Sequence, residues 1–149
     1  MTHLDPTAGA NHEPEPDDPM ADQLGADVRR AANDAREAVR LVAHLTLGAP
    51  ALPAPEVYFA LADLERLGHG LAQALRQLGV SLQRSLDAYD VTQDKGTDPA
   101  DAVDRCVFEL LQAVADATDL GQRLGRGHAA IAGQGHLGRI PTIGSIGED

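Results

Sequence analysis

The chain has 149 residues, a formal net charge of −11, one cysteine and only 3% aromatic residues, with no tryptophan. That length suffices for one domain with its own core, and a core so poor in aromatics must be built from Leu, Val and Ala, which favours long helices over sandwiches and barrels. An acidic surface repels phosphate backbones and anionic lipids, so general nucleic-acid and membrane-surface binding are set aside, and the lone Cys106 forms no intrachain disulfide.

Residues 1–21 hold prolines at 6, 14, 16 and 19 and five acids without Lys or Arg. Such a segment cannot bury enough apolar surface to offset its ordering entropy, so a disordered acidic leader is expected, and it lacks the apolar core of a signal peptide. No stretch is apolar enough to span a membrane, and a soluble, cytoplasmic protein is the expectation.

A first helix is expected from about Asp22 to Leu47, because Leu24, Val28, Ala31, Ala35, Ala38, Val42 and Leu45 recur at steps of four and three. Asp22 suits its N-cap, while Gly48 followed by Pro50 forms a stop. Arg29, Arg36 and Arg40 fall on the opposite face. They could dock an acidic partner, although interleaving with Asp27, Asp34 and Glu37 favours an ordinary solvated face.

After the proline-punctuated connector Gly48 to Pro55, the longest apolar period in the chain runs from Glu56 to Asp90. Val57, Leu61, Leu64, Gly68, Leu71, Leu75, Leu78, Leu82, Ser85 and Tyr89 keep the four–three step of a helix packed against other helices. Ala60, Leu67 and Ala74 widen that seam, so more than one partner helix is expected. Leu61, Leu64, Leu71, Leu75, Leu78 and Leu82 are the candidate assembly residues. At about 1.5 Å per residue this helix is roughly 50 Å long, and Gly68, Gly70 and Gly79 could divide it into two arms.

Asp98 and Pro99 open a third helix as N-cap and first residue. Its seam is Val103, Val107, Leu110, Val114, Ala117, Gly121 and Leu124, with Cys106 on a flank as a small buried apolar residue. Glycine recurs from Gly125 onward, so residues 129–149 are expected to form a flexible tail. Together, residues 22–128 predict an antiparallel three-helix bundle between disordered ends, with a dimer sharing helix two as the next possibility.

No chemical constellation emerges. Gly133 to Gly138 spells GxGxxG, but a helix precedes it and a proline-bearing tail follows, the reverse of the dinucleotide-binding context. The aspartates around residues 87–104 lack the register of a calcium loop, and the six histidines make no recognised zinc spacing. Cys106 has no neighbouring base, and no serine sits in a GxSxG elbow. No catalytic, cofactor-binding or metal-ligating residue is therefore assigned, and an enzyme is not expected.

Two features suggest contact with a partner. Phe108 falls outside the third seam, where an exposed Phe would be an anchor, unless the helix phase is misjudged and Phe108 is core. Ile140, Ile143 and Ile146, spaced by small residues, suit a short docking peptide that adds as an extended segment. Their Ile-Gly-Ser-Ile core is similar to the C-terminal targeting peptides by which encapsulin cargo proteins enter their shells.

The Ala- and Arg-rich usage with one Lys points to a high-GC bacterial source. The stretches around Leu75, Gln77 and Leu78, Ser85-Leu86 to Tyr89, Asp98-Pro99 and Ala129 to Gly135 resemble small helical proteins of actinobacteria. That resemblance covers roughly residues 55–135 and implies a helical fold and no known activity, so it carries no functional residues across. The functional expectation is a non-enzymatic adaptor, accessory or scaffold module that self-associates or binds a protein partner. The alternative is an acidic mimic that sequesters a basic nucleic-acid-binding protein.

Overall fold

The computed structural model describes residues 19–93, 96, 98–135 and 138. They form three helices: α1 (Pro19–Thr46), α2 (Ala54–Ala88) and α3 (Pro99–Ala130), with no strand among the described residues. The all-α expectation is met. The chain divides into two compact units, one reaching to Pro50 and containing α1, the other starting at Ala51 and containing α2 and α3.

α1 is amphipathic and continuous, and none of its residues is buried. It begins three residues before the expected Asp22, which sits in the first turn and there opposes the positive end of the helix dipole instead of capping it. Gly48, at φ +67, ends the helix by taking the left-handed conformation that an L side chain resists. Residues 49–53 form no turn.

In the second unit, α2 is one uninterrupted helix of 35 residues; Gly68, Gly70 and Gly79 do not divide it. Asp98 caps α3 as expected, its carboxylate accepting a 2.9 Å hydrogen bond from the Ala100 amide with Pro99 in the first turn. α3 continues to Ala130, two residues into the segment expected to be a flexible tail.

α2 and α3 pack along most of their length. Positions that rise along α2 meet positions that fall along α3: Tyr58 touches His128, Gly68 faces Gly121, and Gly79 faces Leu110. On α3 the packed residues are those the periodicity marks, with Val103, Val114, Ala117 and Gly121 buried. On α2 the buried residues are Ala62, Gly68, Ala72 and Gly79. The packed line thus runs one position beyond the leucines at 71 and 78. Small side chains bring the two backbones together: a Cβ on Gly68 would lie 3.0 Å from Gly121 Cα. The centre of the core is Ala72, Val114 and Ala117, with Leu75 packed against it.

Candidate functional site

A seam lined with small residues leaves the large apolar side chains of the helix pair on its two flanks. One flank takes the residue after each seam position. There Leu75, Arg76, Gly79, Val80 and Gln83 of α2 meet Val107, Leu110, Leu111 and Val114 of α3 around an open groove of about 250 Å³. The other flank takes the residue before each seam position. On α2 these include Leu64, Leu71 and Leu78; on α3 they include Cys106, Ala113, Asp116 and Leu120. Leu67 and Ala74 extend the second flank outward on α2 at the same spacing.

The second flank has two notable properties. Its leucines are far from buried: Leu67, Leu71, Leu78 and Leu120 are 40, 45, 46 and 49% exposed. Two exposed acids of α3 lie beside them, Asp116, which precedes the buried Ala117, and Glu109, which precedes Leu110. Scattered exposed leucines are ordinary on protein surfaces; here they recur along one side of the helix pair.

The expected site residues distribute as follows. Leu61, Leu64, Leu75 and Leu82 are half-buried, while Leu71 and Leu78 lie on the open flank. Arg29, Arg36 and Arg40 are exposed on α1; Arg36 and Arg40 both hold Glu37 at 2.7 Å, so the helix partly neutralises its own basic stripe. Such exposed pairs add little stability. Phe108 is 59% exposed and belongs to the surface, not the core. Cys106 also corrects an expectation: it is exposed, because its position precedes Val107 on the open flank and no helix covers that side within the unit. Ile140, Ile143, Ile146 and His136 lie outside the described residues, as do residues 1–18 of the leader and Lys95, while residues 19–21, expected to be disordered, begin α1.

One cluster escaped the sequence reading. Near the start of α2 and the end of α3, Tyr58 stacks on His128 with ring centroids 4.0 Å apart, and His128 Nδ1 lies 3.5 Å from Glu65 Oε2. His128 Nε2 is buried without a hydrogen-bond partner. Glu65 lies along Gly125, where an added Cβ would come within 2.8 Å of its Oε1, and the His69 ring lies over Gly121 in the same way. These glycines admit polar side chains across the seam. Tyr58 and Glu65 sit on the Ala72–Gly79 line, so they become visible as seam residues once that line replaces the leucine line.

Among the described residues no group of three or more His, Cys, Asp or Glu side chains is arranged to hold a metal ion, and no helix is long and apolar enough to cross a membrane. The Asp119 carboxylate raises the Arg123 guanidinium further above its ordinary value, through a 2.6 Å hydrogen bond and its charge, on a fully exposed helix face. No family model, curated protein or solved structure matches the chain.

Proposed function

We propose that this protein is a non-enzymatic, cytoplasmic helical interaction module that self-associates or holds a protein partner through the leucine-lined flank of its helix pair. The observation that carries this reading is the row Leu64, Leu67, Leu71 and Leu78 beside Leu120: large, apolar and half-exposed, with the acids Glu109 and Asp116 alongside. Contact surfaces have this composition at their centre, with charged residues displaced to the rim. The extra apolar stripe of α1, bare along its length, supports the same reading.

Light scattering behind size exclusion, run on the full chain and on Leu71→Asp, tests the proposal. Association with itself or with a purified partner that weakens in Leu71→Asp is expected. Equal behaviour of the two proteins in every binding assay would remove the reading.

A further inference from the structure

We propose that the groove between α2 and α3, on the side of the helix pair opposite the leucine-lined flank, docks an acidic amphipathic helix of a partner protein. The proposal goes beyond the interaction-module reading, because it concerns a second surface and names the chemistry of what that surface takes.

Both walls of the groove belong to one compact unit, so the α2–α3 seam alone sets its geometry. Leu75 and Gly79 of α2 line it together with Val107, Leu110 and Val114 of α3. Its outer edge on α3 is apolar: Leu111 lines the groove, and Phe108, one turn earlier on the same face, extends it. Phe108, Leu111 and Val80 are each about half exposed.

The edge on α2 is basic. Arg76 and Val80 line both this groove and an adjoining pocket that adds Gln77, Ser81 and Arg84. Arg76, Val80 and Arg84 therefore follow one another at steps of four along one face of α2. Among the described residues no carboxylate lines either hollow. The exposed acids Asp87 and Asp104 stand one turn beyond Gln83 on α2 and Val107 on α3, and close the basic stretch at that end.

Charge selects the occupant. Arg30, Arg36, Arg40, Arg66 and Arg123 each hold a carboxylate of their own helix. Among the described residues Arg76 and Arg84 have no such partner. In a chain of net charge −11, two unpaired guanidinium groups beside an exposed Phe and Leu reverse the local sign. They complement an occupant that is apolar on one face and carries carboxylates next to it. Arg and aromatic side chains are also the ones that concentrate at protein contacts.

Length selects the form. Leu75 to Gln83 spans about 12 Å at 1.5 Å per residue, which is two turns and seats apolar side chains at i, i+3 or i+4, and i+7 of a docked helix. Arg76 and Arg84 are separated by the same two turns, so carboxylates two turns apart on the occupant meet both. An extended peptide would need a free strand edge, and the described residues contain no strand. A two-turn seat is small, so the complex is weak and exchanging. The overall negative charge opposes an acidic partner only over about 8 Å at physiological salt, and contact with the arginines is made within that distance.

The test uses the full chain and two synthetic peptides of about 18 residues, long enough to hold a helix, with the same leucine stripe. One carries glutamate beside the stripe and the other lysine; binding is read by fluorescence anisotropy. The glutamate peptide is expected to bind on the order of tenfold more tightly, against the sense of the protein's net charge. Phe108→Gln should weaken that binding by about tenfold. The double variant Arg76→Glu, Arg84→Glu should reverse the preference, with unchanged helicity in circular dichroism because both positions are exposed. Leu71→Asp, on the other flank, should bind the glutamate peptide as wild type does, so its effects on the module reading are separable from those of the groove variants. Binding of neither peptide by wild type, including a groove already filled by a second copy or by another segment of this chain, would overturn the proposal. So would tighter binding of the lysine peptide, or a glutamate peptide that binds wild type and the double variant equally.

Discussion

Gly68 and Gly121 meet backbone to backbone: a Cβ on Gly68 would stand 3.0 Å from both the Cα and the N of Gly121, and 3.3 Å from the Ala117 carbonyl oxygen. No flexible side chain is available to yield there, so the helices themselves would have to separate. Gly68→Ala is expected to destabilise the helix pair by about 1–3 kcal/mol, against a helix-propensity gain of about 1 kcal/mol. Gly70 is exposed, with nothing within 4 Å of an added Cβ. Gly70→Ala should therefore stabilise by about 0.5–1 kcal/mol. Urea denaturation of the two variants should give midpoints on opposite sides of wild type; shifts of the same sign would contradict the close approach.

Asp98 closes the start of α3 through its bond to the Ala100 amide. Asp98→Ala leaves that amide without its side-chain acceptor and should cost about 1 kcal/mol, whereas Asp98→Asn or Asp98→Ser should retain most of the stability. Thermal melts of the three variants decide the matter, and equal melting temperatures would show that the cap contributes nothing.

His128 holds a buried Nε2 that no acceptor or donor meets. His128→Leu removes that unpartnered atom and keeps apolar contact with Tyr58. It is expected to hold stability within about 1 kcal/mol of wild type or to increase it, since an unsatisfied buried polar group costs about 1–3 kcal/mol. Tyr58→Ala, which removes the ring itself, should destabilise. A large loss in His128→Leu would mean that the Glu65 contact at 3.5 Å outweighs the unpartnered nitrogen.

Phe108 is a surface residue, and its replacement tests contact without disturbing the core. Phe108→Gln should change the unfolding free energy by no more than about 0.5 kcal/mol. Unaltered helicity in circular dichroism, together with an unaltered melting temperature, is the expected outcome. A fall of several degrees would place the ring in a packed environment.

Much of the fold was legible in the chain. The three helices, the Asp98–Pro99 start of α3 and the α3 seam from Val103 to Gly121 follow from a period of 3.6 and from cap chemistry. The seam of α2 was legible only in part, for a physical reason. Periodicity weighs residues by apolar size, and the leucines at 71 and 78 outweigh Ala72 and Gly79. Helix contact is instead governed by how closely two backbones can approach, which selects the small residues and leaves the leucines alongside. The same displacement hid Tyr58 and Glu65, which occupy the small-residue line, whereas Cys106 was expected inside from the usual burial of free cysteine and is exposed. The expectation of more than one partner helix, drawn from Ala60, Leu67 and Ala74, finds no second helix within the unit, where α2 packs against α3 alone.

The choice of Ala and Gly for the seam also shapes the thermal response of the helix pair. Heat capacity on unfolding scales with the apolar area newly wetted, and here the hidden side chains are among the smallest available. The increment per residue for α2 and α3 alone should fall below the usual ~12–15 cal/mol/K. A small increment flattens the stability curve, so the helix pair loses little of its stability on cooling.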